Sequence, residues 1–182
     1  MKKLKNSYAV VLTFSEEIED VLSKMRLEFQ QYIDYIIVPH ITLVYPFSPV
    51  FSLFQIYEQL EKVAKRNKQF SITLNGIKYF EKENKVVFAA IKNRRPVKNL
   101  HTDIIKSLDG YIKELDTDGK FNLDNFMPHV TIGSHIPDSI FKNVKKRFSR
   151  YRLHYMDKIT HINLFGEDKG DWERMRTFSL AK

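Results

Sequence analysis

Pro39-His40-Ile41-Thr42-Leu43 and Pro128-His129-Val130-Thr131-Ile132 repeat one pattern within a chain of 182 residues. Each copy runs proline, histidine, β-branched residue, threonine, aliphatic residue. β-Branched and aliphatic residues at such density favour a strand, and strand side chains alternate between the two faces. His40 and Thr42 therefore share one face, with Ile41 and Leu43 on the other. His129 and Thr131 likewise oppose Val130 and Ile132. The apolar sides are expected to pack beneath helices, which leaves the polar pairs facing a groove.

Reading outward from either copy gives the same order of elements: a helix, a strand, an aromatic and charged turn, another strand. Tyr79-Phe80-Glu81 and Leu164-Phe165-Gly166-Glu167 fall at comparable places. This is an internal repeat, spanning approximately 36–91 and 126–180. It predicts an α+β protein, with residues 1–182 forming a single domain of two intertwined, similar lobes. The lobes would be related by pseudo-twofold symmetry, each an antiparallel sheet with helices on its outer face and a central cleft between them. Strands are expected at 7–14, 70–80, 85–91, 127–134, within 151–165 and at 172–180. Ser15 caps a helix to about residue 34, with Ile18, Leu22, Met25 and Phe29 on its apolar stripe. Further helices are expected at 50–66, from Pro96 to about residue 115, and at 137–148.

Composition narrows the chemistry. There are no cysteines, which removes disulfides, thiolate nucleophiles and cysteine-ligated metals. Thirty basic against 22 acidic residues leave a formal charge of +8, which favours a polyanionic partner. No apolar run is long enough to span a bilayer. The expectation is a cytoplasmic monomer without membrane contact.

Phosphodiester cleavage needs one group to take a proton from the attacking oxygen and another to give one to the leaving oxygen. Histidine titrates near neutral pH, so His40 and His129 can divide these roles. The hydroxyls of Thr42 and Thr131 can donate to the non-bridging oxygens, where charge accumulates. These motifs resemble those of the two-histidine (2H) phosphoesterase superfamily, which includes bacterial 2′-5′ RNA ligase-like proteins and cyclic nucleotide phosphodiesterases. That family carries two His-x-Thr/Ser-x motifs, matched here by His40-Ile41-Thr42-Leu43 and His129-Val130-Thr131-Ile132. The resemblance implies a two-lobed fold with a central cleft. It also implies hydrolysis of 2′,3′-cyclic phosphates or related phosphodiesters at RNA ends or on nucleotides, without cofactor or metal. Ligation to a 2′-5′ bond is the reverse reaction. The resemblance makes His40 and His129 the acid–base pair and gives Thr42 and Thr131 the phosphate, leaving open which histidine is the base. The rival expectation is a non-catalytic RNA- or nucleotide-binding module that keeps the cleft.

Three further residues are candidates for contact with substrate. Tyr45 and Phe126 flank the motifs and could stack on a base; in a regular strand Tyr45 would instead face the core with Leu43. His135 continues the period-two series from His129, although Pro137 places it near the strand's end. His101, His154 and His161 are expected on the surface. Asp116-Thr117-Asp118-Gly119-Lys120 looks like a calcium loop but has its glycine at the wrong offset and no glutamate at the last ligand position. Basic residues gather at 92–98 and 142–152, either as solvated surface or as a rim for phosphates.

Overall fold

The computed structural model describes residues 7–29, 37–82, 84–115 and 126–182. Its elements follow in the order β1 (Tyr8–Leu12), α1 (Glu16–Leu27), β2 (Ile41–Pro49), α2 (Leu53–Arg66), β3 (Phe70–Phe80), β4 (Val86–Ile91), α3 (Arg95–Leu108), β5 (Ile112–Glu114), β6 (His129–Gly133), α4 (Asp138–Phe148), β7 (His154–Ile159), β8 (His161–Asp168) and β9 (Asp171–Ser179). The strands lie in the order β7-β3-β4-β6-β2-β1-β8-β9, with β5 added beside β2. Every ladder between these strands is antiparallel.

The two halves of this sheet meet between β2 and β6, where Ile41 pairs with Val130. Those are the residues inside the two histidine motifs, so the pseudo-twofold axis passes between them. Equivalent positions follow from the registers. Thr42 opposes Val11, which opposes Asn163, while Thr131 opposes Phe88, which opposes Lys78. Phe165 and Phe80 are related in the same way, through Ala9 and Val86. The strand after α2, β3, lies in the other half of the sheet, where it pairs with β4.

Apolar alternation decides which face carries the helices. Val10, Leu12, Ile41, Leu43, Ile162 and Leu164 of one half are buried in one core with Ile72, Leu74, Val87, Ala89, Val130 and Ile132 of the other. α2 and α3 lie against β2, β8 and β9, and α1 against β6. Phe141 of α4 meets Tyr79 of β3 edge-on.

Three local departures from the expected elements have plain causes. α3 stops at Leu108 rather than near residue 115, because Gly110 takes the left-handed conformation (φ 75°). The residues beyond it then form β5 against Phe47–Pro49. α2 begins after Ser52, whose backbone N–H donates to Gln55 Oε1 at 3.2 Å. β8 and β9 extend toward each other around Lys169-Gly170, both at positive φ, which matches a two-residue hairpin turn.

Candidate active site

Ile41 and Val130 are directly paired and buried, so the residues on either side of each point to the opposite face of the sheet. The antiparallel register sets His40 across from Thr131 and Thr42 across from His129. All four side chains line one cavity of about 60 Å³, a space of phosphate size, together with Arg26, Tyr45 and Ser134.

Both imidazoles are held the same way. His40 Nδ1–H donates to the Val38 carbonyl at 2.8 Å, and His129 Nδ1–H donates to the Met127 carbonyl at 2.9 Å. In each case the acceptor lies two residues back, across the proline. A carbonyl only accepts, so Nδ1 carries the hydrogen and Nε2 is the nitrogen left for chemistry. Burial lowers the pKa of both rings. For His40 the Arg26 guanidinium adds to this and brings the value to about 4. His129 is instead flanked edge-on by Phe80 and Phe88, each with its ring centre 5.2 Å away.

Arg26 escaped the sequence reading, which counted only apolar residues along α1. It lies four residues after Leu22 and eight after Ile18, on the buried stripe. A cation at that spacing was the available signal. Its Nε donates to the Thr131 carbonyl at 2.9 Å and its Nη1 to the Ile37 carbonyl at 2.6 Å.

The other expected residues divide. Tyr45 reaches the cavity, because β2 slips register between Thr42 and Val44 and alternation resumes out of phase. Phe126 does not reach it. It is buried, with its ring stacked on His101 at 3.7 Å between centres. His135 lies outside the lining, since β6 ends at Gly133 and His135 turns to a φ of 54°. His101 is not a surface residue: it is 2% exposed and donates from Nδ1 to the Leu43 carbonyl at 2.7 Å. His154 and His161 are exposed as expected. Asp116–Lys120 falls outside the described residues. In the second basic group, Lys145 and Arg147 are engaged with Glu81 and Glu28.

A larger cavity of about 380 Å³ lies where Thr13, Asn163 and Thr177 meet the start of α1. Its lining sets Glu16, Glu19 and Asp20 against Arg174 and His161, a net charge that suits phosphate poorly. In the smaller space two imidazoles and a guanidinium converge, with no carboxylate among the described residues that line it. Among the described residues no group of three or more His, Asp or Glu side chains is arranged to hold a metal, and no helix is long and apolar enough to cross a membrane.

Residues 14–171 match the model of the 2′-5′ RNA ligase superfamily. A relative from Geobacillus thermodenitrificans, named as a candidate phosphoesterase, is 24% identical over 176 residues, covering 96% of each chain. One from Oceanobacillus iheyensis, named in the same way, is 24% identical over 181 residues, covering 96% of this chain and 98% of its own. In fold, the chain is similar to the Escherichia coli LigT structure complexed with 3′-AMP. The TM-score is 0.66 at 14% identity, over 97% of this chain and 99% of that one. It is also similar to TT0787 of Thermus thermophilus, with a TM-score of 0.65 at 17% identity, over 96% and 97%. The paired His-x-Thr motifs, their shared cavity and this family match make the chain a phosphoesterase of the 2′-5′ RNA ligase superfamily.

Proposed function

We propose that the protein is a metal-independent phosphodiesterase acting on 2′,3′-cyclic phosphates or related phosphodiesters, at RNA ends or on nucleotides. The observation that carries this reading is the matched tethering of His40 and His129, each by Nδ1, beside one cavity of phosphate size. Both Nε2 atoms are then available to one phosphorus. The 3′-AMP held by the similar Escherichia coli protein supports a nucleotide substrate.

Arg26 distinguishes the two roles. A guanidinium beside His40 favours its neutral form, so His40 acts as the base. His40 Nε2 takes a proton from water as the water oxygen bonds to phosphorus. The bond from phosphorus to one ribose oxygen breaks, and His129 Nε2–H protonates that oxygen. A phosphomonoester and a free hydroxyl result. Thr42 and Thr131 donate to the non-bridging oxygens, and Arg26 offsets their charge. With a second ribose's hydroxyl in place of the attacking water, the same steps become ligation: His40 takes the hydroxyl proton as its oxygen bonds to phosphorus, one ring bond from phosphorus to oxygen breaks, and His129 protonates the freed ribose oxygen.

The test is turnover of a nucleoside 2′,3′-cyclic phosphate by His40→Ala and His129→Ala. Each should lose roughly 10²–10⁴-fold in kcat, with ligand affinity changed far less and no sensitivity to chelators. Undiminished turnover in both variants would overturn the reading. Binding without any turnover in the unmodified protein would instead favour a nucleotide-binding module.

A further inference from the structure

His101 is a buried histidine that the proposed reaction does not use. Among the described residues its Nε2 is buried without a hydrogen-bond partner, a condition that natural cores rarely tolerate. A phenylalanine would fill the same place without that unsatisfied atom. What the imidazole adds is its Nδ1–H, given to the Leu43 carbonyl one residue beyond Thr42.

Its ring also lies flat on Phe126, 3.7 Å between centres and 14° between planes. The next residue, Met127, supplies the carbonyl that holds His129. One side chain of α3 thus touches the strand carrying Thr42 and the segment that orients His129.

The other half of the molecule has the matching device. Leu22, Met25, Arg26 and Phe29 follow the same spacing as Val97, Leu100, His101 and Ile104, and all but Arg26 are buried. Arg26 and His101 thus share one spacing within their helices' apolar stripes. Arg26 donates to Thr131 and to Ile37, the residue before the Val38 that holds His40. Each helix reaches from the lead-in of one histidine to the strand of the other.

We infer that His101 is a positioning residue that holds the His129 imidazole so that Nδ1 keeps its hydrogen and Nε2 is the nitrogen that gives up a proton, by bracing Phe126-Met127 against Leu43. This rests on the reading of His129 as a reacting group. Loss of the brace frees the Met127 carbonyl from its place, and the His129 ring then loses the bond that commits its hydrogen to Nδ1.

Two variants separate the brace from simple core filling. His101→Phe keeps the stack and removes the donor, while His101→Asn restores a donor near the Nδ1 position. Nitrogen-15 NMR of His129 in the whole chain reads the tautomer directly. The unmodified protein should be Nδ1–H; His101→Phe should add a substantial Nε2–H population, and His101→Asn should recover part of the original state. In turnover, kcat of His101→Phe should drop at least tenfold, with KM within about twofold and the alkaline limb of the pH profile displaced. Should either His101 variant fail to fold, Phe126→Leu takes its place, with the same expectation. An unchanged His129 tautomer in the folded variants overturns the inference, as does a fall in melting temperature with kcat and pH profile intact. If no cyclic phosphate is turned over by the unmodified protein, the phosphodiesterase reading fails, and the tautomer measurement still decides the brace.

Discussion

At His40, burial and the Arg26 guanidinium both disfavour the imidazolium, and together they outweigh the hydrogen bond to Val38 that favours it. At His129 burial acts against an equivalent hydrogen bond to Met127. Two rings in matching frames are thereby made chemically unequal by one side chain. As the base, His40 must be unprotonated, so kcat/KM rises with pH through about 4. As the acid, His129 must be protonated, so kcat/KM falls again at a pH below the ordinary histidine value of about 6.5. Bound phosphate favours the imidazolium and should carry this alkaline limb to higher pH in kcat. Arg26→Gln removes the cation, and the acidic limb should then move upward in pH. A full pH–rate profile of that variant checks it; an unmoved acidic limb would mean that Arg26 does not govern His40. Thr42→Val and Thr131→Val should each lower kcat by about 10²-fold while leaving the pH limbs in place, as expected for lost donors to the phosphate.

Elements decide whether those residues meet. β6 ends at Gly133, and a Cβ there would fall 2.5 Å from the Phe29 ring just beyond α1. α1 can approach β6 closely because that glycine has no side chain, and the approach brings Arg26 to the Thr131 carbonyl. Gly133→Ala should therefore cost about 1–3 kcal/mol in urea unfolding and reduce turnover through Arg26; wild-type stability in that variant would contradict the close packing. Gly110→Ala is the contrasting case, with open space around its Cβ but a φ of 75°, so it should lose about 1 kcal/mol with turnover retained. What could be read from the chain follows the same division. His40, Thr42, His129 and Thr131 were legible because period-two alternation survives over three residues of strand. Tyr45 needed knowledge of a bulge, and a bulge leaves no unambiguous mark in β-branched sequence. Arg26 and His101 lay on apolar helical stripes, where a polar residue reads as an interruption. Their partners are backbone carbonyls 105 and 58 positions away, which no local pattern announces. The lobed architecture was legible from the duplicated motif, whereas the conversion of 112–114 from helix to strand depended on Phe47–Pro49 offering an open edge.

Across the whole molecule, the proposed catalysis and the stability of the fold both depend on buried imidazoles. His40, His101 and His129 are all buried with lowered pKa values. In the unfolded chain they take up protons below about pH 6.5, while the folded chain resists until lower pH. The folded state is thus most favoured above that value and loses stability as pH falls; for His40 the loss continues down to its folded value of about 4. From that value, His40 alone accounts for about 2 kcal/mol between pH 7 and pH 5. The interval in which kcat/KM is expected to peak is therefore one in which proton uptake by the unfolded chain already costs the empty protein stability. An anion in the cavity reverses the sign, because it favours the imidazolium in the folded state. Inorganic phosphate should then raise the melting temperature more at pH 5 than at pH 7, and the excess should shrink in His129→Gln, which cannot accept the proton. Thermal unfolding at both pH values, with and without phosphate, measures this. Equal stabilisation at the two would separate anion binding from proton uptake and remove the basis for His129 as a substrate-charged acid.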